Sequence, residues 1–303
     1  MLGFYQSFLE EDLAVPVLTG MKTESEKFAG AERTYCIEAL MADGKALQAG
    51  TSHHLGQNFA KAFNITFQDE DRQRKHVWQT SWGVSTRLIG AIIMTHGDDS
   101  GLMLPPKVAP FQVVAIPIWK KEEERTRVAE ALAGLRPALE RVCRLHVDDR
   151  DEHTPGWKFN EWELRGAPLR LEIGPRDVSQ NQVVLVRRDT RKKESVPMAA
   201  LPERVPALLD EVQRGFFERA LAFRQANTRE VTTYDELKQV LENQRGFVVA
   251  GWDGEAETEA KIKEETKATI RLIPLVGGEA AAGLRCVCSG RPARYRAVFA
   301  KAY

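Results

Sequence analysis

Between residues 107 and 212 the hydrophobic period switches back and forth between that of a strand and that of a helix, which leaves few folds open. FQVVAIPIW (111–119) reads as a strand ending at Trp119, whereas Val128, Leu132, Leu135 and Leu139 fall on one helical face. LRLEI (169–173) and QVVLVRRD (182–189) return to strand character, and a long helix begins near Pro202. Strands and helices in alternation bury a sheet against helices, so this stretch predicts a layered α/β unit.

The flanking stretches read differently. Residues 1–106 open on a short helix with Leu2, Tyr5, Phe8 and Leu9 at helical spacing. Apolar strands or buried segments follow at Thr34–Leu40 and Arg87–Thr95. Pro105 and Pro106 break any regular element and close this part. In 213–303 the long helix runs on through GFFERALAFRQ. A short helix is expected at Tyr234–Leu241, strands at GFVVAGW and TIRLIPL, and a charged helix at EAKIKEETK. The expected core there is Phe247, Val249, Ile262, Ile270, Leu272 and Val298.

Composition excludes several function classes. Lys+Arg and Asp+Glu are equal at 43 each, so no global positive field draws the chain to nucleic acid, and any RNA contact must be local. Cys36, Cys143, Cys286 and Cys288 show no disulfide framework, which fits a reducing cytoplasm. The opening MLGFYQSFLEEDLAVPVLTG lacks a basic n-region and carries acids within its apolar run, unlike a signal peptide. No apolar stretch is long enough to span a membrane.

Three segments carry a resemblance: KTESEKFAGAERTYCIEALMADGKALQAGTSHHLGQNFAKAF (22–63), TSWGVSTRLIGAIIMTHGDDSGLMLPPKVAPFQVV (80–114), and GWKFNEWELRGAPLRLEIGPRD (156–177) with the ending VFAKAY (298–303). They resemble prolyl-tRNA synthetases of the archaeal and eukaryotic type, along the whole chain. The resemblance implies a multidomain α/β and α+β protein. Residues 1–106 would be the C-terminal part of a class II antiparallel-sheet catalytic domain, holding the third class II motif in GVSTRLIGAIIMTHGDDSGLMLPP. Residues 107–212 would be an α/β anticodon-binding domain, and residues 213–303 a small α+β C-terminal domain. Motifs one and two, which build the dimer interface and supply an arginine to the ATP α-phosphate, are not found. The chain is therefore expected to be an incomplete proline–tRNA ligase, inactive alone, with the full-length protein a homodimer. The alternative is a stand-alone tRNA-binding paralogue without catalysis.

What the resemblance implies for single residues follows the chemistry. Making prolyl-adenylate from proline and ATP, and passing proline to tRNA(Pro), rests on positioning and fixed positive charge. Arg87 matches the arginine that holds the γ-phosphate of ATP, brought in with Mg2+; a guanidinium suits that task because it never loses its charge. Gln48 and Thr51 match nucleotide contacts. Phe28, His53, Trp82 and Gly83 match the proline pocket, although simple core packing would equally explain Phe28 and Trp82. Glu163, Arg170, Arg176 and Asp177 match contacts to the two anticodon guanines: carboxylates accept from N1 and N2, arginines donate to O6 and N7. A charged strand edge is the plainer reading of these four. RRDTRKK (187–193) reads as a solvated hairpin, with phosphate contact as the secondary reading. Neither the His53–His54 pair nor HGDDSG (96–101) has metal-ligand spacing.

Two features concern the C-terminal part. The family sends its tail toward the catalytic site, so Tyr303 is expected to support adenylate formation. Some relatives hold zinc with four cysteines, but the matching positions here are Asp253, Thr258, Cys286 and Ser289, with Cys288 one residue out of place. That set is too poor in thiolates for a closed tetrahedral site, so no structural zinc is expected.

Overall fold

The structure is a computed structural model that describes residues 1–280 and 282–303. The chain begins with α1 (Leu2–Ser7), β1 (Val17–Met21), β2 (Arg33–Leu40) and β3 (Ala46–Gly56). It continues with α2 (Asn58–Ala62), the short pair β4 (Thr66–Gln68) and β5 (Arg74–His76), β6 (Gln79–Gly83) and α3 (Arg87–His96). Then come β7 (Val113–Pro117), α4 (Glu122–Glu140), β8 (Leu145–Val147), α5 (Pro155–Leu164), β9 (Leu169–Ile173), α6 (Pro175–Ser179), β10 (Gln182–Arg187) and β11 (Lys193–Pro197). The last elements are α7 (Leu201–Ala226), β12 (Thr228–Glu230), α8 (Tyr234–Asn243), β13 (Phe247–Trp252), α9 (Ala256–Thr266), β14 (Thr269–Pro274) and β15 (Tyr295–Ala300). The architecture is mixed α/β.

Compactness divides the chain into two units. One comprises residues 1–11, 15–91 and 221–303, the other residues 12–14 and 92–220. In the first, strands from both ends of the chain form one eight-stranded sheet in the order β12-β13-β15-β14-β1-β2-β3-β6. The strands of 213–303 thus hydrogen-bond directly into those of 1–106, through β1 and β14. Cys36, Leu40, Phe247, Val249, Leu272 and Val298 share one apolar cluster of this unit. Leu237, Leu241, Ile262, Ile270 and Phe299 share another. The six core residues expected in 213–303 are all buried. At the far edge, β6 pairs only with β3 among the described residues, and four of its five residues are exposed.

The second unit carries a five-stranded sheet, β11-β10-β9-β7-β8, in which β7 runs parallel to β8 and β9 while β10 and β11 are antiparallel. Alternation along β7 sends Val113 and Ala115 into a core with Val128, Leu132 and Leu139 of α4 and Val205, Leu208, Val212 and Phe216 of α7. Val114 and Ile116 point the other way, against Trp162 of α5.

Two sequence expectations fail locally. Arg87–Thr95, expected as a strand or a buried segment, is the partly exposed helix α3. Its run is apolar on every side, with Leu88 and Ala91 buried but Ile89 61% exposed, so periodicity could not separate the two states. RRDTRKK does turn between β10 and β11, yet Arg188 is not solvated. It is buried, its guanidinium donating to both oxygens of Asp98 (3.0 and 2.6 Å) and to the Glu163 carbonyl (3.0 Å).

Candidate functional site

β2, β3 and β6 hold the first candidate site. In β3, Thr51 and His53 are two residues apart and therefore share a face. The antiparallel register sets Gly83 opposite Thr51, Ser81 opposite His53 and Thr34 opposite His53 on the other side. A register shift between Ile37 and Glu38 sets Gln48 opposite Glu38, as Thr51 is opposite Cys36, and so brings Gln48 to the Thr51 face. Together Gln48, Ala49, Gly50, Thr51, His53 and the stretch Ser81–Ser85 with Arg87 line an open pocket of about 330 Å³. The Arg87 guanidinium donates to the Gln48 carbonyl (3.2 Å), which fixes its base while leaving further donors for a ligand.

Aromatic rings frame the mouth. Phe28 lies 4.9 Å from the His53 ring between centroids and 6.1 Å from Phe59. Phe28 is 48% exposed, so core packing does not account for it, and it adjoins the pocket through the His53 ring. Trp82 is equally exposed and borders the pocket, but it pairs with Ser52. Its side chain therefore leaves on the opposite face of the sheet from His53, and Ser81 takes the neighbouring position on the pocket face. Sequence reasoning missed Ser81, whose signal was the strand alternation within TSWG. His54 also faces away from His53, toward Glu32 (3.1 Å) and Trp78. Burial pushes the His53 imidazole below its ordinary range, which favours its neutral form.

The second candidate site lies around β9. Arg170 is ion-paired with Glu172 (2.9 Å), and its guanidinium sits 4.2 Å from the Phe159 ring centre on α5. Glu163 lies near the end of the same helix. Arg176 and Asp177 belong to α6, beyond the other end of β9, which lies roughly 10 Å along the strand from Arg170 by its rise. Asp177 accepts from the Gly174 N–H (2.9 Å) and so caps α6, while Arg176 is exposed. Glu163 thus precedes the strand, Arg170 lies within it, and Arg176 and Asp177 follow it. A hub that sequence did not reveal supports α5. Buried Asp148 accepts from Trp162 Nε1 (2.8 Å) and Arg150 Nη2 (2.7 Å), with Lys158 nearby. Burial raises its carboxyl, but these donors outweigh burial and hold it far below the ordinary range.

Further features sit in the C-terminal strands. Asp253 Oδ1 accepts from Thr258 Oγ1 (2.6 Å) and its Oδ2 from Ser289 Oγ (2.7 Å), while Cys286 is buried. These positions offer one engaged carboxylate, two hydroxyls and one thiol, which does not fit a zinc site. The tail extends the sheet: Lys301 O accepts from Ala46 N (2.8 Å), and the Tyr303 ring lies 4.6 Å from Lys45 Nζ with its phenol at Asp43. Tyr303 therefore lies at the start of β3, two residues before Gln48 and outside the pocket lining.

Comparison with known proteins fits both regions. Residues 112–208 match the family described as "Anticodon binding domain", and residues 234–303 match "Prolyl-tRNA synthetase, C-terminal". The chain is 57% identical over 302 residues to Proline–tRNA ligase of Chloroflexus aggregans, an alignment covering 99% of this chain and 62% of that protein. It is 56% identical over 305 residues to Proline–tRNA ligase of Rubrobacter xylanophilus (100% and 63%) and 55% identical over 310 residues to that of Chloroherpeton thalassium (100% and 64%). The chain matches a prolyl-tRNA synthetase C-terminal portion. It spans about 62% of the length of these curated relatives. Among the described residues no helix is long and apolar enough to cross a membrane.

Proposed function

We propose that the chain forms part of a cytoplasmic, homodimeric proline–tRNA ligase, in which residues 1–106 contribute to a class II adenylate site and residues 107–212 read the anticodon of tRNA(Pro). The observation that carries this reading is the convergence of Gln48, Thr51, His53, Gly83 and Arg87 on one pocket beside Phe28. A tRNA binder without catalysis needs none of them. Arg87 supplies fixed charge to the ATP γ-phosphate; Gln48 and Thr51 seat the nucleotide; Phe28, His53, Ser81 and Gly83 enclose the pyrrolidine ring. No lining residue is a carboxylate, so Mg2+ would be carried by the nucleotide's own phosphates. The Asp253–Thr258–Ser289 cluster replaces a structural metal with hydrogen bonds.

Proline-dependent ATP–pyrophosphate exchange tests the site, in a polypeptide where this chain follows the additional segment its relatives carry. Arg87→Ala should slow exchange about 10²–10³-fold; exchange at the parent rate would remove Arg87 from the site. For the anticodon face, Arg176→Ala should weaken binding of tRNA(Pro) by about 1–3 kcal/mol, and should not weaken binding of a transcript with altered anticodon guanines. Equal losses on both transcripts would make Arg176 a phosphate contact and not a reader.

A further inference from the structure

The His53 ring has two nitrogens, and only one can carry hydrogen in the neutral form. Its Nδ1 lies 3.0 Å from Thr34 Oγ1. That hydroxyl oxygen also accepts from the Phe28 N–H at 3.0 Å. Thr34 is 2% exposed, so water does not reach it, and among the described residues Phe28 and His53 are the only polar partners of its hydroxyl. The direction of the chain of hydrogen bonds then follows from donor arithmetic. Phe28 N–H can only donate. If His53 Nδ1 also donated, the buried Thr34 hydrogen would have no acceptor, an unfavourable state for a buried group. If Nδ1 accepts, every group is satisfied and the imidazole hydrogen resides on Nε2.

We propose that Thr34 is a positioning residue that fixes His53 in the Nε2–H tautomer, so that His53 presents a hydrogen-bond donor to the pocket and selects ligands with an acceptor oxygen there. The sheet makes this possible: Thr34 and His53 are directly opposed across β2 and β3, so their side chains share a face at short range. Nε2 has no protein partner among the described residues, and His53 lines the pocket. The same hydroxyl ties down the backbone of Phe28, whose ring packs on His53, so one residue sets both the wall and the donor. A donor at neutral charge suits the carbonyl or carboxylate oxygen of an amino acid, and that choice of ligand rests on the function proposed above. The burial that depresses His53 acts in the same sense, by disfavouring the doubly protonated ring.

Nitrogen-15 NMR of histidine-labelled chain reads the tautomer directly, with His53→Gln identifying the His53 signals. At neutral pH the parent and Thr34→Ser should show Nδ1 as acceptor and Nε2 protonated. Thr34→Val should lose that single state and populate both tautomers within about a tenfold ratio of each other. Nδ1–H in the parent would overturn the proposal, as would an unchanged tautomer in a folded Thr34→Val. If Thr34→Val does not fold, the parent and Thr34→Ser spectra still decide. Titration with proline, in the longer polypeptide used for the exchange assay, separates the ligand from the tautomer. A shift of His53 Nε2–H supports the acceptor reading. No shift, with the tautomer as stated, overturns the proline pocket and leaves the role of Thr34 standing.

Discussion

Single residues show best where burial and titration meet. His96 at the end of α3 is 2% exposed, its Nε2 donates to the Leu13 carbonyl at 2.9 Å, and its ring meets Phe216 edge-on at 4.9 Å. Burial, with the Arg219 charge adding to it, lowers its pKa to about 4. Between about pH 6.5 and about pH 4 the unfolded chain therefore binds a proton that the folded chain refuses. Stability is fully present above 6.5 and falls as pH drops through this window. The full shift corresponds to about 3 kcal/mol. Urea unfolding at pH 7 and pH 5 should show the loss, and His96→Gln, which keeps an amide donor, should flatten the slope within that window. A parent chain equally stable at both pH values would mean that His96 is accessible. Nothing in HGDDSG pointed to this role, because Leu13 and Phe216 are far away in sequence. Arg188 and Thr34 were opaque for the same reason: their partners lie elsewhere in the chain.

Elements were legible where a period was clean. Strands β2, β7, β9 and β14 alternate or run apolar, and α4 carries its stripe at Val128, Leu132 and Leu139. α3 was not legible, since an all-apolar run fits either state. The turn before β15 was read only through its cysteines, yet its role is geometric. Gly251 in β13 lacks a Cβ, which would stand 2.2 Å from the Arg285 carbonyl, and Val287 N–H donates to the Gly251 carbonyl at 2.9 Å. Ser289 then reaches Asp253, and Thr258 at the start of α9 reaches it from the other side. Burial pushes the Asp253 carboxyl up, but the two hydroxyls, the Glu255 N–H and the Arg291 charge together hold it below its ordinary range, so it stays ionised and acid is needed to release it. Metal analysis after dialysis should find less than stoichiometric zinc, and near-stoichiometric retention would mean that the ligands were misread. Asp253→Ala should cost about 1–3 kcal/mol, because the half-buried Ser289 hydroxyl loses its acceptor and the buried Thr258 hydroxyl keeps only the Glu255 carbonyl.

The whole molecule depends on one joint that no local pattern announced. β1 and β14 lie more than two hundred residues apart in sequence, and their ladder makes the two ends of the chain one sheet. Gly20 permits the approach, since a Cβ there would stand 2.5 Å from the Ile273 carbonyl. A buried ion triad sits beside this ladder, with Lys22 just after β1, Glu38 on β2 and Arg271 on β14. Glu38 is fully buried, and Lys22 Nζ (2.8 Å) and the Arg271 guanidinium (2.9 Å) both bind it. Lys22 Nζ also donates to the Arg271 carbonyl at 2.6 Å, tying β14 to the end of β1. Two cations around one carboxylate are tolerable only while that carboxylate is ionised and present. Glu38→Gln would leave both positive charges out of water with no counter-charge, which costs about 3–5 kcal/mol for a buried pair. Replacing all three by apolar residues of similar volume removes the charges as well as the bond, so the triple variant should be more stable than Glu38→Gln alone. Urea midpoints of the two variants check this, and limited proteolysis adds the scale of the effect. Because 1–91 and 221–303 share the sheet, Glu38→Gln should expose cleavage sites at both ends of the chain together. Cleavage confined to residues 221–303 would mean that the C-terminal strands open on their own and that the joint is not cooperative.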